Sequence, residues 1–442
     1  MKDWREEYNR KMVPAEEAAQ LVKSGNRIGF TTGREAHAVG LAIAARIGEL
    51  KGVQVYVPTP GYDFGWYDPG WEDSFNITVS FPLGVNQQMV EEHRCDIAFG
   101  SLFPFDLEFF KQGLDVLITE ISSPDEQGFC SFGQSLWNKK TQVKEAKKVI
   151  AEVNPRLIRT FGDNFIHVSE IDYFVEHVSS GEAPGGGSLL GKKAKKEPDN
   201  IQKEIAGHIS GLIQDGDTLQ IGVGRATEPL ISLGILDGKK DIGYHSEATV
   251  PGVIRLVREG VITGKYKTLR PGKVVVTSVG GDTREEMQWV HMNPLFELVD
   301  VDWLEDIRVI ASIDNMVTIN QALAIDLLGQ PTAESLGMRL LSGAGGQVPF
   351  QLGALLSKGG RAITVLPSTA ENGTISRIMP SLPEGTTVTL HKNCTDMIVT
   401  EYGVARLRGR SMRQKAEELI NVAHPDFRAE LKKAAQRLFW PS

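Results

Sequence analysis

Three cysteines in 442 residues, Cys95, Cys130 and Cys394, stand far apart with no Cys-x-x-Cys spacing. That usage supports neither a disulfide framework nor a zinc site, and reduced, buried thiols are the plain expectation. Long apolar runs are missing as well. No stretch approaches the roughly 18 residues a membrane helix requires, and the start Met1-Lys2-Asp3-Trp4-Arg5-Glu6-Glu7 lacks the apolar core of a signal peptide, so a cytoplasmic protein without a membrane partner is expected. Excess positive charge is absent: the formal net charge of -8 leaves no electrostatic footprint for nucleic acid. None of the histidines groups with carboxylates at metal-ligand spacing, so the expected metal content is none.

What remains is the profile of an ordinary globular chain, 41% hydrophobic and 24% charged, long enough for two or three domains. Its clearest break runs from Ser179 to Asn200, where Gly185-Gly186-Gly187 precedes Lys192-Lys193-Ala194-Lys195-Lys196. A stretch that buries so little reads as an exposed linker. We place a domain at 1–180, a Gly/Lys-rich linker at 181–200 and a second domain at 201–442.

The two halves look duplicated. Gly25, Gly33 and Arg34 recur at the same spacing as Gly216, Gly224 and Arg225. Each set is preceded by a helical pattern (Ala15 to Lys23; Ile201 to Gln214) and followed by another (Ala36 to Leu50; Glu228 to Leu236). Short β-branched runs alternate with helical patterns: Val53 to Val57, Ile97 to Phe99, Val116 to Ile121, Val149 to Val153, Thr218 to Ile221, Val274 to Ser278, Val309 to Ile313, Ala362 to Leu366 and Met397 to Thr400. The implied class is α/β, with mostly parallel sheets flanked by helices. In such sheets ligands gather at the carboxyl ends of the strands, so the Gly-rich loops are the places to search.

Four segments carry candidate chemistry. Glu247 closes Gly243-Tyr244-His245-Ser246-Glu247, read as a short polar turn. An ordinary glutamate is ionised at neutral pH and attacks an activated carbonyl without a base to deprotonate it; the bland alternative is a solvated loop carboxylate. Gly222-Val223-Gly224-Arg225-Ala226 lies between a strand and an expected helix near Thr227 to Pro229. Its amides and the helix dipole would receive an anion such as a pyrophosphate, although an isolated G-x-G is more often a tight turn. Gly343-Ala344-Gly345-Gly346-Gln347 offers either an oxyanion hole or a structural loop. Ser122 to Phe129, which follows a strand and ends in a turn, alone reads as a loop with a satisfied Asp125. Of the histidines, only His245 is placed at the site, for orientation or for turn packing, while His167 and His424 read as structural.

Taken together these motifs resemble the acetyl-CoA hydrolase/transferase family. The resemblance rests on Ser123 through Gly133, Val153-Asn154-Pro155, Arg159 to Asp163, Phe165 to Ser169, Gly222 to Ala226, His245-Ser246-Glu247 and Asp314 to Val317. It continues through Ser342 to Gln347, Leu366 to Ala370, Thr400 to Ala405, Leu407-Arg408-Gly409 and Ala423 to Phe427, and so covers nearly the whole chain outside the linker. It implies two similar CoA-transferase-type α/β domains with the active site between them, and Glu247 as a nucleophile that becomes a glutamyl-CoA thioester. Gly346, helped by Gly345, would hold the oxyanion. Gly222, Val223, Gly224, Arg225, Ala226, Gly343 and Gly346 would line the CoA site, with Lys358 as a phosphate contact or a plain surface lysine. Thr31, Thr32, Gly33, Arg34 and the Ser123 to Phe129 loop are candidates for the acyl pocket, with Arg34 able to hold a second carboxylate.

The expected activity is transfer of CoA between a small acyl-CoA and a free carboxylic acid. Hydrolysis through the same glutamate, or non-catalytic CoA binding, are the alternatives. Coenzyme A is a cosubstrate, no cofactor is permanent, and a homodimer is expected. Three departures from the family pattern stand out. Glu305-Asp306-Ile307 replaces a usual Asn-Asp-Pro and so removes an amide the resemblance sets against the thioester; Pro349 replaces an Asp, and Glu371 a Lys.

Overall fold

The computed structural model describes residues 3–33, 36–82, 85–99, 113–179, 199–343 and 345–441. The expected linker therefore lies outside the described residues except for Asp199 and Asn200, and so does Arg34. The chain forms two compact units, residues 1–192 with 276–303 and residues 193–275 with 304–442.

The first unit is built on strands β1 (Arg27–Phe30), β2 (Val53–Val57), β3 (Phe75–Val79), β4 (Asp96–Ile97), β5 (Val116–Ile121), β6 (Val149–Val153) and β7 (Tyr173–Glu176), with helix α1 (His37–Ala44) following β1. They form one sheet in the order β7-β6-β5-β1-β2-β3-β4. Every neighbouring pair is parallel. The inner strands β5 and β6 are buried at every residue, as a sheet covered on both faces demands. Ile28, Phe30, Val53, Val55, Val57 and Ile118 share one core with Val39 and Ile43 of α1. Each such side chain contributes about 1.5–3 kcal/mol by leaving water.

The second unit uses α2 (Asn200–Ser210), β8 (Thr218–Ile221), β9 (Gly243–Ala248), α3 (Ile307–Ala311), β10 (Met316–Gln321), α4 (Gln347–Leu356), β11 (Arg361–Val365), β12 (Met397–Thr400), β13 (Gly403–Arg406), α5 (Met412–Asn421) and α6 (Pro425–Phe439). Here β12, β11, β10, β8 and β9 are parallel neighbours in that order, and β13 pairs antiparallel with β12. Asp199 starts α2 by accepting a hydrogen bond from the Gln202 amide, in a reciprocal capping box. His424 caps α6 and His167 caps a 3-10 turn at Val168–Glu170, the structural roles expected of both.

The duplication is visible in strand order. Strands β6-β5-β1-β2 of the first unit repeat as β11-β10-β8-β9 in the second. Gly25 and Gly216, just before β1 and β8, take nearly the same left-handed turn, with φ of 77° and 79°. Arg27 pairs with Gln54 as Thr218 pairs with Gly243, so the residue matching Glu247 in the first unit is Pro58. Only the second copy carries a carboxylate there.

Three expectations need correction. Glu247 lies in a strand, β9, and not in a turn. The polar run misled because its side chains are satisfied inside the sheet: the Tyr244 hydroxyl donates to the Ala248 carbonyl at 3.0 Å, and Ser246 Oγ to the Ile221 carbonyl at 3.3 Å. Val309 to Ile313 is not a strand. Asp306 caps α3 there by accepting from the Arg308 amide, and the apolar residues Ile310 and Ile313 are fully buried. The helix expected from Glu228 to Leu236 is a single 3-10 turn, Glu228–Leu230.

No helix among the described residues is long and apolar enough to cross a membrane. The three cysteines are free: Cys130 is buried, with its thiol pushed up to about 12 by burial, and Cys95 and Cys394 are half-buried.

Candidate active site

Strand β9 sets the geometry. Its alternate residues Gly243, His245 and Glu247 face one way. His245 is buried and its Nε2 lies 3.0 Å from the Leu304 carbonyl, which can only accept, so Nε2 carries the proton. Burial, and then the nearby Lys267 ammonium, pushes this imidazole down to about 3, so it is neutral throughout the physiological range. Its ring meets Phe350 of α4 edge-on, with centroids 6.2 Å apart. His245 is thus an orienting residue within the fold.

Two residues further along the strand, half-buried Glu247 reaches the start of α4. Gly346 is the N-cap of that helix and Gly345 before it has φ of 56°. A β-carbon added to Gly346 would sit 2.8 Å from Glu247 Oε1 and 2.8 Å from Glu305 Oε1. Real β-carbons do not tolerate such contacts, so only glycine lets both carboxylates come this close to the backbone. The amides opening a helix lack intrahelical partners and carry its positive end, which favours a carboxylate or an oxyanion at this spot.

The Gly222 to Ala226 loop follows β8, the neighbour of β9, and its entry is tied beside Glu247 by the Ser246 to Ile221 bond. Gly222 and Gly224 are required by crowding: the Asn320 amide fills the space beside one and the Gln321 amide the space beside the other. Several loop amides are already committed. Gly222 donates to the Ile319 carbonyl at 2.8 Å, Ala226 to Gln321 Oε1 at 3.2 Å, and Thr227 and Glu228 to the Gly224 carbonyl at 3.1 and 2.8 Å. With a three-residue turn in place of the expected helix, the dipole argument for phosphate binding falls away here. The exposed guanidinium of Arg225 is the loop's available cation.

Gly343 is buried at the start of the α4 loop, and Ala344 is outside the described residues. Lys358 is not brought to this group. It is exposed beyond the far end of α4, a helix of ten residues, so about 15 Å of helix separates it from Gly346. Pro349 occupies the first turn of α4, where a missing N–H is harmless.

In the first unit, Thr31 Oγ1 is spent on Thr119 Oγ1, 3.1 Å away and buried, while Thr32 and Gly33 are half-buried beyond the carboxyl end of β1. Gly33 has φ of 106° and lies against the Ser135 hydroxyl. The Ser123 to Phe129 loop has the satisfied aspartate expected of it. Asp125 Oδ1 accepts from the Gln127 and Phe129 amides at 2.9 Å, and Oδ2 pairs with Arg159 at 2.8 Å.

Sequence reading noticed Glu305 only as a departure, and missed Gln220, Asn320 and Gln321. Gln220 and Asn320 form a buried head-to-head amide pair at 3.0 and 2.9 Å across β8 and β10. The available signal was an amide near the carboxyl end of an otherwise apolar, doubly covered strand, where burial makes each polar group costly.

A parallel-sheet unit that presents a strand-end glutamate to a glycine at a helix start, beside a Gly-rich loop, is the frame of a CoA-transferase-type enzyme. Residues 1–180 match the acetyl-CoA hydrolase/transferase N-terminal domain and residues 283–435 the acetyl-CoA hydrolase/transferase C-terminal domain. The chain belongs to the acetyl-CoA hydrolase/transferase family. It is 40% identical to the 4-hydroxybutyrate coenzyme A transferase of Clostridium kluyveri, over 99% of this chain and 100% of that protein. It is 35% identical to the succinyl-CoA:cyclohexane-1-carboxylate CoA transferase of Geobacter metallireducens, over 99% and 98%. Among solved structures, RipA from Yersinia pestis superposes with a TM-score of 0.88 at 31% identity, over 99% of both chains. The 4-hydroxybutyrate CoA-transferase of Porphyromonas gingivalis gives 0.81 at 34%, over 99% and 100%.

Proposed function

We propose that the protein is an acyl-CoA:carboxylate CoA-transferase acting on small acids, with Glu247 as its covalent nucleophile in the domain 201–442. The observation that carries this reading is the approach of Glu247 Oε1 to within 2.8 Å of the β-carbon position of Gly346, at the amino end of α4. A Glu247 oxygen attacks the thioester carbonyl, the C–S bond breaks, and CoA leaves as thiolate, giving an acyl-glutamyl anhydride. The thiolate then attacks the glutamyl carbonyl and expels the acyl group as a free carboxylate. The resulting glutamyl-CoA thioester keeps the bond energy for an incoming acid, which runs the two steps in reverse. Gly346 and Gly345 supply the oxyanion contact; one such donor is worth about 3 kcal/mol in the transition state.

In this reading Gly222 to Ala226 and Gly343 border the CoA chain, with Arg225 toward its phosphates. Thr32, Gly33 and Arg34 border the acyl group. Lys358, exposed beyond the far end of α4, is proposed as a phosphate contact for the remote end of the CoA. The enzyme works as a cytoplasmic homodimer, which sedimentation velocity checks. CoA is consumed and returned as a substrate, and the chemistry calls on no permanent cofactor or metal.

The test is incubation with acetyl-CoA, borohydride reduction and peptide mass spectrometry. A modified Glu247 peptide supports the reading, and an unmodified peptide from fully active enzyme ends it. Glu247→Gln is expected to lose turnover while still binding CoA. Release of free CoA that is independent of added carboxylic acid would assign the same intermediate to hydrolysis instead.

A further inference from the structure

The Gly346 contact brings two acids together. Glu247 Oε1 and Glu305 Oε1 each lie 2.8 Å from one point, so they are no more than twice that distance apart. Glu305 is only 5% exposed. Its placement is fixed by the strand that carries Glu247: His245 Nε2 holds the carbonyl of Leu304, one residue before it, while Asp306, one residue after, caps α3. Ionising a buried carboxyl this close to a second carboxylate is costly, which favours the protonated form of Glu305. A nucleophile must be the ionised member.

We propose that Glu305 is the protonated member of the pair and acts as a positioning residue, donating its O–H to the Glu247 carboxylate and aiming it at the thioester. This inference rests on the Glu247 reading above and adds the residue that sets its pH range. No proton is transferred in the step. A Glu247 oxygen bonds to the acyl carbon, the C–S bond breaks, the thiolate departs with the electron pair, and Glu305 keeps its hydrogen. Once Glu305 ionises, the pair carries two negative charges, Glu247 loses its donor, and the departing or returning thiolate meets an added repulsion. Activity is therefore present while Glu305 holds its proton and is lost as pH rises through its ionisation.

Among the described residues, the elements packed about the pair bring the following charged and titratable groups. Strand β9 contributes the neutral His245. The segment after it contributes Lys267, bonded to the Tyr244 and Lys273 carbonyls at 2.9 and 2.8 Å, and Arg270, both acting on His245. Helix α3 contributes the Asp306–Arg308 ion pair at 2.5 Å, and α4 offers the uncharged Gln347. Each of these is present in every variant below, so a difference between proteins isolates position 305.

The experiment is a single-turnover measurement of adduct formation on Glu247 from acetyl-CoA across pH 5.5 to 9, by borohydride trapping and mass spectrometry. Starting from the thioester keeps the ionisation of free CoA out of the profile. Wild-type rates are expected to fall by about tenfold per pH unit on an alkaline limb. Glu305→Gln, whose amide donates at every pH, is expected to show no such limb, on a plateau lowered by up to about tenfold. Glu305→Asp, which keeps an acid, is expected to retain a displaced limb, and it stands as the decisive variant if the glutamine protein fails to fold. Parallel wild-type and Glu305→Gln profiles with normal Glu247 labelling, or a flat Glu305→Asp profile, overturn the role of Glu305 alone. A wild-type enzyme that never labels Glu247 overturns the nucleophile reading, and this inference falls with it.

Discussion

His245 Nε2 donates to the Leu304 carbonyl at 3.0 Å, and this one bond ties the strand of Glu247 to the segment that delivers Glu305. The two residues are 59 apart in sequence, yet the bond sets where two carboxylates meet. The ring is neutral because burial disfavours the imidazolium, and its one hydrogen sits on Nε2, facing the carbonyl.

That burial gives stability a pH dependence. The ring's value drops from an ordinary 6.5 to about 3, chiefly through burial, so the unfolded chain binds a proton that the folded chain refuses. The contribution is complete above pH 6.5 and declines as pH falls from there toward 3, reaching a loss on the order of 2 kcal/mol at pH 5. Denaturant unfolding at pH 7.5 and 5 should show this loss in the wild type. His245→Gln, less stable at pH 7.5, should show a correspondingly smaller one.

The Gln220–Asn320 pair predicts a coupling. Each amide satisfies the other in the buried sheet, so Gln220→Leu or Asn320→Leu leaves one amide without its partner. Either single change should cost about 1–3 kcal/mol, and the double change less than their sum. Additive urea midpoints would show that the amides do not depend on each other.

Much of this fold is legible in the sequence, because a doubly covered parallel strand is a nearly unbroken apolar run. Val53 to Val57, Val116 to Ile121, Val149 to Val153 and Met397 to Thr400 have the ends read from sequence, Arg361–Val365 differs only at its ends, and the strand read at Ile97 to Phe99 overlaps the observed Asp96–Ile97 at Ile97 alone. The failures have a shared cause. Strand β9 is polar because its side chains find partners on residues such as Leu304 and Ile221, and no local pattern announces those. Helix α3 is β-branched because Ile310 and Ile313 are fully buried, a demand that overrides propensity. For the same reason Glu305 looked like a mere departure from a motif, since only folding carries it to Gly346.

Asp302 gives a second test of linkage, in the first unit. Burial, and then the neighbouring Asp300, pushes its carboxyl up to about 7. The folded chain therefore holds a proton that the unfolded chain has released. Stability is greatest below the ordinary aspartate value of 3.8 and is lost as pH rises through about 7. Asp302→Asn removes the titration and should raise stability at pH 8, by an amount on the order of 2 kcal/mol, with little gain at pH 4. An equal gain at both pH values would assign the effect to packing.

Gly346→Ala tests the site with the smallest possible change. The added methyl lands 2.8 Å from the carboxylate oxygens of Glu247 and Glu305, both ends of flexible side chains that can swing aside. Folding should therefore survive, although alanine is a poorer helix N-cap than glycine and the change should cost on the order of 1 kcal/mol of stability. In the proposed mechanism the reacting Glu247 oxygen must then move by several tenths of an ångström or more, and misplacement on the scale of 1 Å costs roughly 10²-fold in rate. We expect kcat to fall by about that factor with KM for acyl-CoA changed far less, because the loss falls on the transition state. Borohydride trapping on the variant should label Glu247 slowly but at the same residue. A variant that turns over at the wild-type rate would mean that the nucleophile does not react from the position it holds beside α4.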